Sequence, residues 1–206
     1  MKAADKITAI RILLAPVFCL VYFPPFQTGG GSAPWTVPVL WIIFGVSEIT
    51  DMLDGFVARK LGEVSDFGKL FDPFADTLVQ LSYFLCFVLD GIFPVFLFLV
   101  VLYREFSILF VRNLMLRKGI AMGARMTGKI KTLAYIITGA GALGISSLDR
   151  LRASEPGFFN MPQVRSGLYM AVMGAFVFSV FLSVLSFIDY VRVYRKAGSE
   201  VPCKAS

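Results

Sequence analysis

Long apolar runs are the feature that most constrains how this chain can fold. Its 206 residues are 57% hydrophobic and only 17% charged, whereas a soluble domain carries about 25% charged residues. A helix that crosses a bilayer needs about 20 mostly apolar residues, and the chain contains several runs of that kind. A soluble core of this size could not bury so much apolar surface. The sequence therefore predicts an all-α integral membrane protein.

Breaker residues divide the apolar runs into six predicted transmembrane helices, which form one domain over residues 1–206. Pro24, Pro25 and the three glycines at 29–31 separate the first two spans, and Gly91 marks a tight turn between the third and the fourth. The first run is interpreted as a retained helix rather than a cleaved signal peptide. The spans are expected at about residues 7–24, 35–60, 69–90, 93–118, 127–149 and 165–195.

The distribution of basic residues predicts how the helices are oriented in the membrane. With a cytoplasmic N-terminus, 17 of the 20 Lys and Arg residues fall on the cytoplasmic side and three on the other, as the positive-inside rule requires. Both termini are then cytoplasmic, and the membrane is the cell (inner) membrane. The net charge of +6 is explained by this asymmetry and by anionic lipid headgroups, so no nucleic-acid partner is expected.

The amino-acid composition also narrows the chemistry. The chain contains no histidine, which excludes Ser-His-Asp catalysis, histidine-ligated zinc and imidazole acid–base chemistry. Two of its three cysteines, Cys19 and Cys86, lie in apolar runs, where cysteine usually serves as a small hydrophobic residue. Catalysis therefore has to rely on carboxylates, hydroxyls, lysine, arginine or bound metal ions.

Four aspartates lie where the second predicted span ends and the third begins. Asp51 and Asp54 are three residues apart and Asp72 and Asp76 are four apart, so each pair shares one face of its helix. A short antiparallel connection would bring the two faces together. Four carboxylates at close range repel one another unless hard cations such as Mg²⁺ or Mn²⁺ lie between them. The pattern predicts a metal site at the cytoplasmic ends of spans two and three.

Small residues continue the two aspartate faces. Gly55 and Ala58 follow Asp51 at helical spacing, and Gly68 precedes Asp72 by four residues, so a ligand could approach the carboxylates closely. The alternative is that the acids cap helix ends or form ion pairs with basic neighbours. Those neighbours are Arg59, Lys60 and Lys69. Two facing stripes of acids favour the metal site over this alternative.

The spacing D-x2-D-G-x2-A-R-x8-G-x3-D-x3-D over residues 51–76 resembles the signature of the CDP-alcohol phosphotransferase family. The matching residues are Asp51, Asp54, Gly55, Ala58, Arg59, Gly68, Asp72 and Asp76. The resemblance implies a transferase whose four aspartates hold two divalent cations, Mg²⁺ or Mn²⁺, with Asp76 also acting as the general base. It further implies that the CDP-linked lipid is bound by Gly55, Ala58, Arg59 and Gly68.

A basic group in spans four and five indicates the acceptor. Arg104 lies in an apolar stretch and Arg112 follows eight residues later, while Lys129 and Lys131 open span five. Such a cluster suits an anionic acceptor, for example a phosphorylated alcohol. Positive-inside charge accounts poorly for Arg104, which lies among apolar residues.

Together with Thr8 and Arg11 in span one, this order of basic residues resembles the bacterial members of the family that use glycerol 3-phosphate. The resemblance implies transfer of a phosphatidyl group from CDP-diacylglycerol to glycerol 3-phosphate, with acceptor-binding residues Thr8, Arg11, Arg104, Arg112, Lys129 and Lys131. The sequence departs from the usual pattern at Asp5, Thr77 and Tyr135. Inositol phosphate, serine or another alcohol stays open as the acceptor, and a cation transporter is the alternative from another class.

Homodimers are common in the family that the chain resembles, so a homodimer is expected. Small residues at helical spacing in spans five and six permit close approach between helices. They are Gly139, Gly141, Gly144, Ala171, Gly174 and Ala175. The same residues could equally serve packing within one chain.

Overall fold

In the computed structural model, the chain folds into six helices in the predicted order. The structure describes residues 3–24, 34–61, 66–117, 126–154 and 162–200, and no strand occurs within these ranges. The helices are α1 (Ala3–Tyr22), α2 (Thr36–Leu61), α3 (Asp66–Leu89), α4 (Val95–Arg117), α5 (Met126–Ser154) and α6 (Pro162–Glu200). The prediction of an all-α chain with six helices is confirmed.

Several helices extend beyond the predicted apolar spans. Asp66, expected in the loop between spans two and three, is instead the first residue of α3, and α6 begins at Pro162. Both residue types suit a helix start. A carboxylate interacts favourably with the positive end of the helix dipole. Proline has no N–H to donate, but an N–H at the first helical position would have no acceptor within the helix. Hydropathy alone therefore underestimates helix length, since the added turns are polar.

Two helical segments are long and apolar enough by composition to cross a bilayer, counting only the residues that the structure describes. They are Ile130–Ala153 in α5 and Pro162–Arg195 in α6. At about 1.5 Å per residue, each of them exceeds the roughly 30 Å of a bilayer's hydrocarbon core.

The turn between α3 and α4 contains the glycine that the sequence marks. Gly91 has a φ of 76°, a left-handed conformation that glycine adopts without the steric cost of a Cβ. The N–H of Asp90 donates to the Cys86 carbonyl at 3.0 Å, and that of Ile92 donates to the Phe87 carbonyl at 2.9 Å. These bonds close the end of α3 and return the chain into α4, so the predicted turn is confirmed.

The bundle packs α1 against α2 and α3, and α6 against α4 and α5. Aromatic rings fill its centre. Phe93 stacks on Phe176 with ring centroids 4.0 Å apart, and Phe84 contacts Tyr135 edge-on at 5.3 Å. Ring contacts of this kind add about 0.5–1.5 kcal/mol each beyond area burial. Phe84 thus joins α3 to α5, and Phe93 joins the α3–α4 turn to α6, which positions the helices that line the candidate site.

Two of the small residues noted in span five pack within a single chain. A Cβ on Gly141 would lie 2.5 Å from Cγ2 of Val172 in α6, and one on Gly139 would lie 3.2 Å from the ring of Phe44 in α2. Their small size is thus explained without a second copy of the chain. In α6, Ala171 and Gly174 are exposed and form the part of the small-residue group that is available to a partner.

A buried polar network joins the helices at the end of the bundle that contains the α3–α4 turn. The Tyr22 hydroxyl lies 2.6 Å from Oδ2 of Asp90 and 2.8 Å from Oγ of Ser146. The Arg150 guanidinium donates to Oγ1 of Thr36 and to the Tyr22 carbonyl, both at 3.0 Å. Arg150 is only 4% exposed, so its buried donors are satisfied by contacts of this network, which links α1, α2, α5 and the residue that follows α3.

Candidate active site

Carboxylates of α2 and α3 meet around an arginine of α1. Nη1 of Arg11 lies 2.8 Å from Oδ1 of Asp51, and its Nη2 lies 2.8 Å from Oδ1 of Asp76. Arg11 is 4% exposed, so its charge is removed from solvent and the two carboxylates supply the counter-charge. One guanidinium thus bridges an aspartate from each of the two helices.

A third aspartate is oriented by the same helix. The Thr8 hydroxyl donates to Oδ1 of Asp72 at 2.8 Å. Thr8 and Arg11 are three residues apart, so both side chains lie on one face of α1. That face packs against α2 and α3, which explains why a hydroxyl and a guanidinium from α1 contact the aspartates of its two neighbours.

The chemistry of these donors fits hard divalent cations. Asp76 lines the pocket described below, and its Oδ1 is shielded from solvent. The 2.8 Å contact of this oxygen with Arg11 is close enough for an ion pair but lacks hydrogen-bond geometry, so no described residue gives the oxygen a directional donor. Oxygen donors of this kind suit Mg²⁺ and Mn²⁺. Among the described side chains, no group of three acids or cysteines is assembled closely enough to hold an ion.

Several predicted site residues have side chains outside the described set. The backbone of Asp54, Gly55, Ala58 and Arg59 belongs to α2, that of Gly68 to α3 and that of Lys129 to α5. The structure therefore gives the helix on which each of these residues lies and leaves its side-chain contacts as predictions.

A buried ionic cluster from α4, α5 and α6 faces the carboxylates. Oε1 of Glu105 accepts from Nη1 of Arg104 at 2.8 Å and from Nζ of Lys131 at 2.6 Å. Nε of Arg104 donates to the Ser183 carbonyl at 2.9 Å, and the Tyr135 hydroxyl lies 2.8 Å from Oγ of Ser183. Charges are retained inside a protein when they are paired in this way, so the cluster holds three helices together.

Arg112 lies about two turns beyond Glu105 on the same face of α4. Its Nη2 donates to the Tyr190 hydroxyl at 3.2 Å, and its guanidinium carbon lies 5.6 Å from the centre of the Tyr190 ring. A guanidinium carries five N–H donors, and this contact uses one of them. Arg112 is half-buried and lines the pocket described next, where a ligand could contact it.

One pocket joins the carboxylates to the basic cluster. It has a volume of about 260 Å³. The charged residues that line it are Arg11, Glu48, Asp51, Asp76, Arg104, Glu105, Arg112 and Lys131. Carboxylates of α2 and α3 and basic side chains of α4 and α5 thus occupy the same cavity. A molecule with a phosphate at one end and a hydroxyl at the other fits such a distribution of charge.

Two acidic pocket residues were not assigned a role from the sequence. Glu48 precedes Asp51 by three residues, so the spacing that identified the aspartates also extends to it. Glu105 follows Arg104 directly. Adjacent helix residues do not normally face each other, so the contact between these two side chains gave no signal in the sequence.

Comparison with known proteins shows that the chain is similar to members of one protein family. A family model described as CDP-alcohol phosphatidyltransferase matches residues 1–182. The chain is 34% identical over 203 residues to the CDP-diacylglycerol–glycerol-3-phosphate 3-phosphatidyltransferase of Treponema pallidum, which covers 94% of this chain and 89% of that protein.

Two further relatives extend the similarity. The Bacillus subtilis protein of the same name is 36% identical over 138 residues, covering 65% of this chain and 72% of its own length. A probable phosphatidylglycerophosphate synthase of Mycobacterium tuberculosis is 29% identical over 196 residues, or 95% of this chain and 83% of that protein.

Proposed function

Because this chain belongs to the CDP-alcohol phosphatidyltransferase family, we propose that it transfers the phosphatidyl group of CDP-diacylglycerol to glycerol 3-phosphate. The products are phosphatidylglycerophosphate and CMP. The names of the relatives from Treponema pallidum and Bacillus subtilis support this reaction. The observation that carries the proposal is the pocket that joins the carboxylates to Arg104, Arg112 and Lys131.

In the proposed reaction, Asp76 takes the proton of the acceptor hydroxyl. The hydroxyl oxygen forms a bond to the phosphorus that carries the diacylglycerol. The bond from that phosphorus to the bridging oxygen of the pyrophosphate breaks, and CMP leaves with the electron pair. Asp76 suits the role of base because it lines the pocket and its Oδ1 has no hydrogen-bond donor among the described residues.

Divalent cations complete the proposed site. Asp51, Asp54, Asp72 and Asp76 would hold two ions, Mg²⁺ or Mn²⁺, and the family is generally dependent on divalent metal. When bound, such ions offset the charge that develops on the leaving CMP. Thr8 orients Asp72 for this purpose, and Arg11 orients Asp51 and Asp76.

The two substrates are proposed to use different parts of the pocket. Gly55, Ala58, Arg59 and Gly68 bind the CDP-linked lipid, with the small residues giving space to the nucleotide and Arg59 contacting its phosphates. The acceptor phosphate is bound by basic residues on the opposite side, namely Arg104, Arg112, Lys129 and Lys131. Thr8 and Arg11, which also contact the aspartates, are proposed to bind the acceptor as well.

The membrane arrangement is part of the proposal. All six helices cross the cell (inner) membrane as one domain over residues 1–206, with both termini and the active site on the cytoplasmic side. Thiol labelling of Cys203 from outside intact cells would contradict this topology.

A homodimer is proposed as well, with the exposed Ala171 and Gly174 of α6 as contact residues. An active monomer in mild detergent, identified by its mass, would contradict the dimer.

The reaction is tested by the release of CMP from CDP-diacylglycerol with a panel of acceptors. We expect glycerol 3-phosphate to be preferred over inositol phosphate, serine and glycerol. A preference for another acceptor would be consistent with phosphatidyl transfer but would contradict glycerol 3-phosphate as the acceptor. Cation flux into liposomes in the absence of any nucleotide would instead support the transporter alternative.

Substitution of Arg112 by alanine is expected to weaken acceptor binding. A charge-assisted hydrogen bond to phosphate contributes about 1.5–3 kcal/mol, so the KM for glycerol 3-phosphate should rise roughly ten- to a hundredfold. The KM for CDP-diacylglycerol should change little. Steady-state kinetics with each substrate varied in turn measures both values.

Arg192→Ala is the matched control for this substitution. The Arg192 side chain is 73% exposed and forms an ion pair with Asp189 at 3.9 Å, so its loss should leave both KM values unchanged. If Arg112→Ala raises the KM for the lipid instead, the acceptor does not bind on the α4 side of the pocket.

A further inference from the structure

Glu105 is an acidic residue in a pocket that we assign to an anionic acceptor. Its side chain is only 6% exposed, and a buried carboxylate is costly unless it is well paired. One of its oxygens, Oε1, contacts Nη1 of Arg104, Nζ of Lys131 and, at 3.3 Å, the Tyr135 hydroxyl. None of the steps proposed above uses this carboxylate, so its retention in the pocket needs another explanation.

Lys131 is held from two directions. Nζ lies 2.6 Å from Oε1 of Glu105 and 4.6 Å from the centre of the Tyr135 ring, the distance range of a cation–π contact. Tyr135 is four residues after Lys131 on α5, so its ring lies on the same helix face. An ammonium has three N–H donors, and Glu105 accepts one of them. The remaining donors are therefore held in a fixed place beside the pocket.

The charges on the α4–α5 side of the pocket also match a phosphate monoester. Arg104, Arg112 and Lys131 would repel one another without a counter-ion. Glu105 reduces the charge of these four side chains to +2, and a phosphate monoester carries about −1.5 to −2 at neutral pH. Glu105 thus lets three cations share a small volume before the acceptor binds, and the charge that is left balances the acceptor.

We propose that Glu105 is a positioning residue of the acceptor site, which acts by holding the Lys131 ammonium against the Tyr135 ring. This inference rests on the proposed use of a phosphorylated acceptor. Without the carboxylate, Lys131 is repelled by Arg104 and turns away from the place where it meets the phosphate.

The test is a double-mutant cycle between Glu105→Gln and Lys131→Ala. Glu105→Gln alone should raise the KM for glycerol 3-phosphate about tenfold and leave the KM for CDP-diacylglycerol unchanged. In the Lys131→Ala background, the same substitution should change the acceptor KM less than about twofold, because residues that act as one unit are not additive. A residue with a merely structural role would show its full effect in both backgrounds.

Two further variants complete the design. Asp149→Asn removes a carboxylate that lies outside the pocket, where it pairs with Arg165 at a distance of 2.6 Å. This variant should leave both KM values unchanged. If Glu105→Gln does not fold, the cycle is measured with Glu105→Asp. This variant keeps the charge but draws it back from Lys131, so it should raise the acceptor KM in the wild-type background and have little effect in the Lys131→Ala background.

The possible outcomes separate the two proposals. Additive effects, or a lower acceptor KM in Glu105→Gln, would overturn the positioning role, since a lower KM means that Glu105 only repels the phosphate. In both cases the wild-type reaction with glycerol 3-phosphate would stand. A wild-type protein that accepts only uncharged alcohols would overturn the proposed acceptor and the role of Glu105 together.

Discussion

Replacement of Asp72 by alanine is expected to reduce CMP release to the background rate. The Asp72 carboxylate is oriented by the Thr8 hydroxyl at 2.8 Å, and it lies one helical turn before Asp76 on α3. Removal of this carboxylate deprives the proposed ions of one of their four aspartate ligands. The assay is CMP release at saturating CDP-diacylglycerol and glycerol 3-phosphate, with folding checked by the elution volume in detergent.

Two milder variants show whether the loss is specific. Asp66→Ala, six residues earlier on α3, lies about 120° around the helix from Asp72 and should keep nearly full activity. Thr8→Val removes the hydroxyl that donates to Asp72, a hydrogen bond worth about 1 kcal/mol, so the substitution should lower the rate less than about tenfold. An Asp72→Ala protein that retains a tenth or more of the wild-type rate would argue against a metal-binding role for this residue.

Chelation of divalent ions with EDTA is expected to abolish transfer, and added Mg²⁺ or Mn²⁺ should restore it. The reason is the donor set, because the aspartates supply only oxygen atoms and the chain contains no histidine. Oxygen ligands select hard cations of this kind. CMP release is measured before chelation, after chelation and after each ion is returned.

Binding of Mn²⁺ provides a measurement that does not depend on turnover. Electron paramagnetic resonance should detect two ions bound to each wild-type chain and fewer to the Asp72→Ala variant. The Arg192→Ala protein should bind as many ions as the wild type. Full activity in excess EDTA would reject the metal mechanism, and the acceptor assignment to Arg112 would then have to be tested on its own.

The helices could be predicted because their signals are local. Apolar length and breaker residues identify six elements in the right order, and Gly91 marks the α3–α4 turn where its φ of 76° is found. Helix ends were less predictable, since Asp66 and Pro162 begin helices in polar sequence. Capping depends on a few residues at each end, and the apolar pattern carries no information about them.

Contacts between helices were only partly predictable. Helical spacing places Asp51 and Asp76 on faces that could meet, but nothing in the sequence of α1 shows that Arg11 lies between them. The glycines of α5 illustrate the same limit. Gly141 permits close approach to a helix, and only the fold shows that the neighbour is Val172 of the same chain. Spacing identifies a face, whereas tertiary packing selects its partner.

Buried cations near both ends of α5 have a consequence for how substrates enter. Lys131 is bound to Glu105, and Arg150 is bound to Tyr22 and Thr36. The two cations are 19 residues apart, which is about 28 Å along a helix and close to the thickness of the hydrocarbon core. Sliding of α5 along its own axis, past the other helices, would break both sets of contacts at once. We therefore expect α5 to keep a fixed axial position in the bundle, so that a substrate reaches the pocket by sideways separation of helices and not by a piston movement of α5.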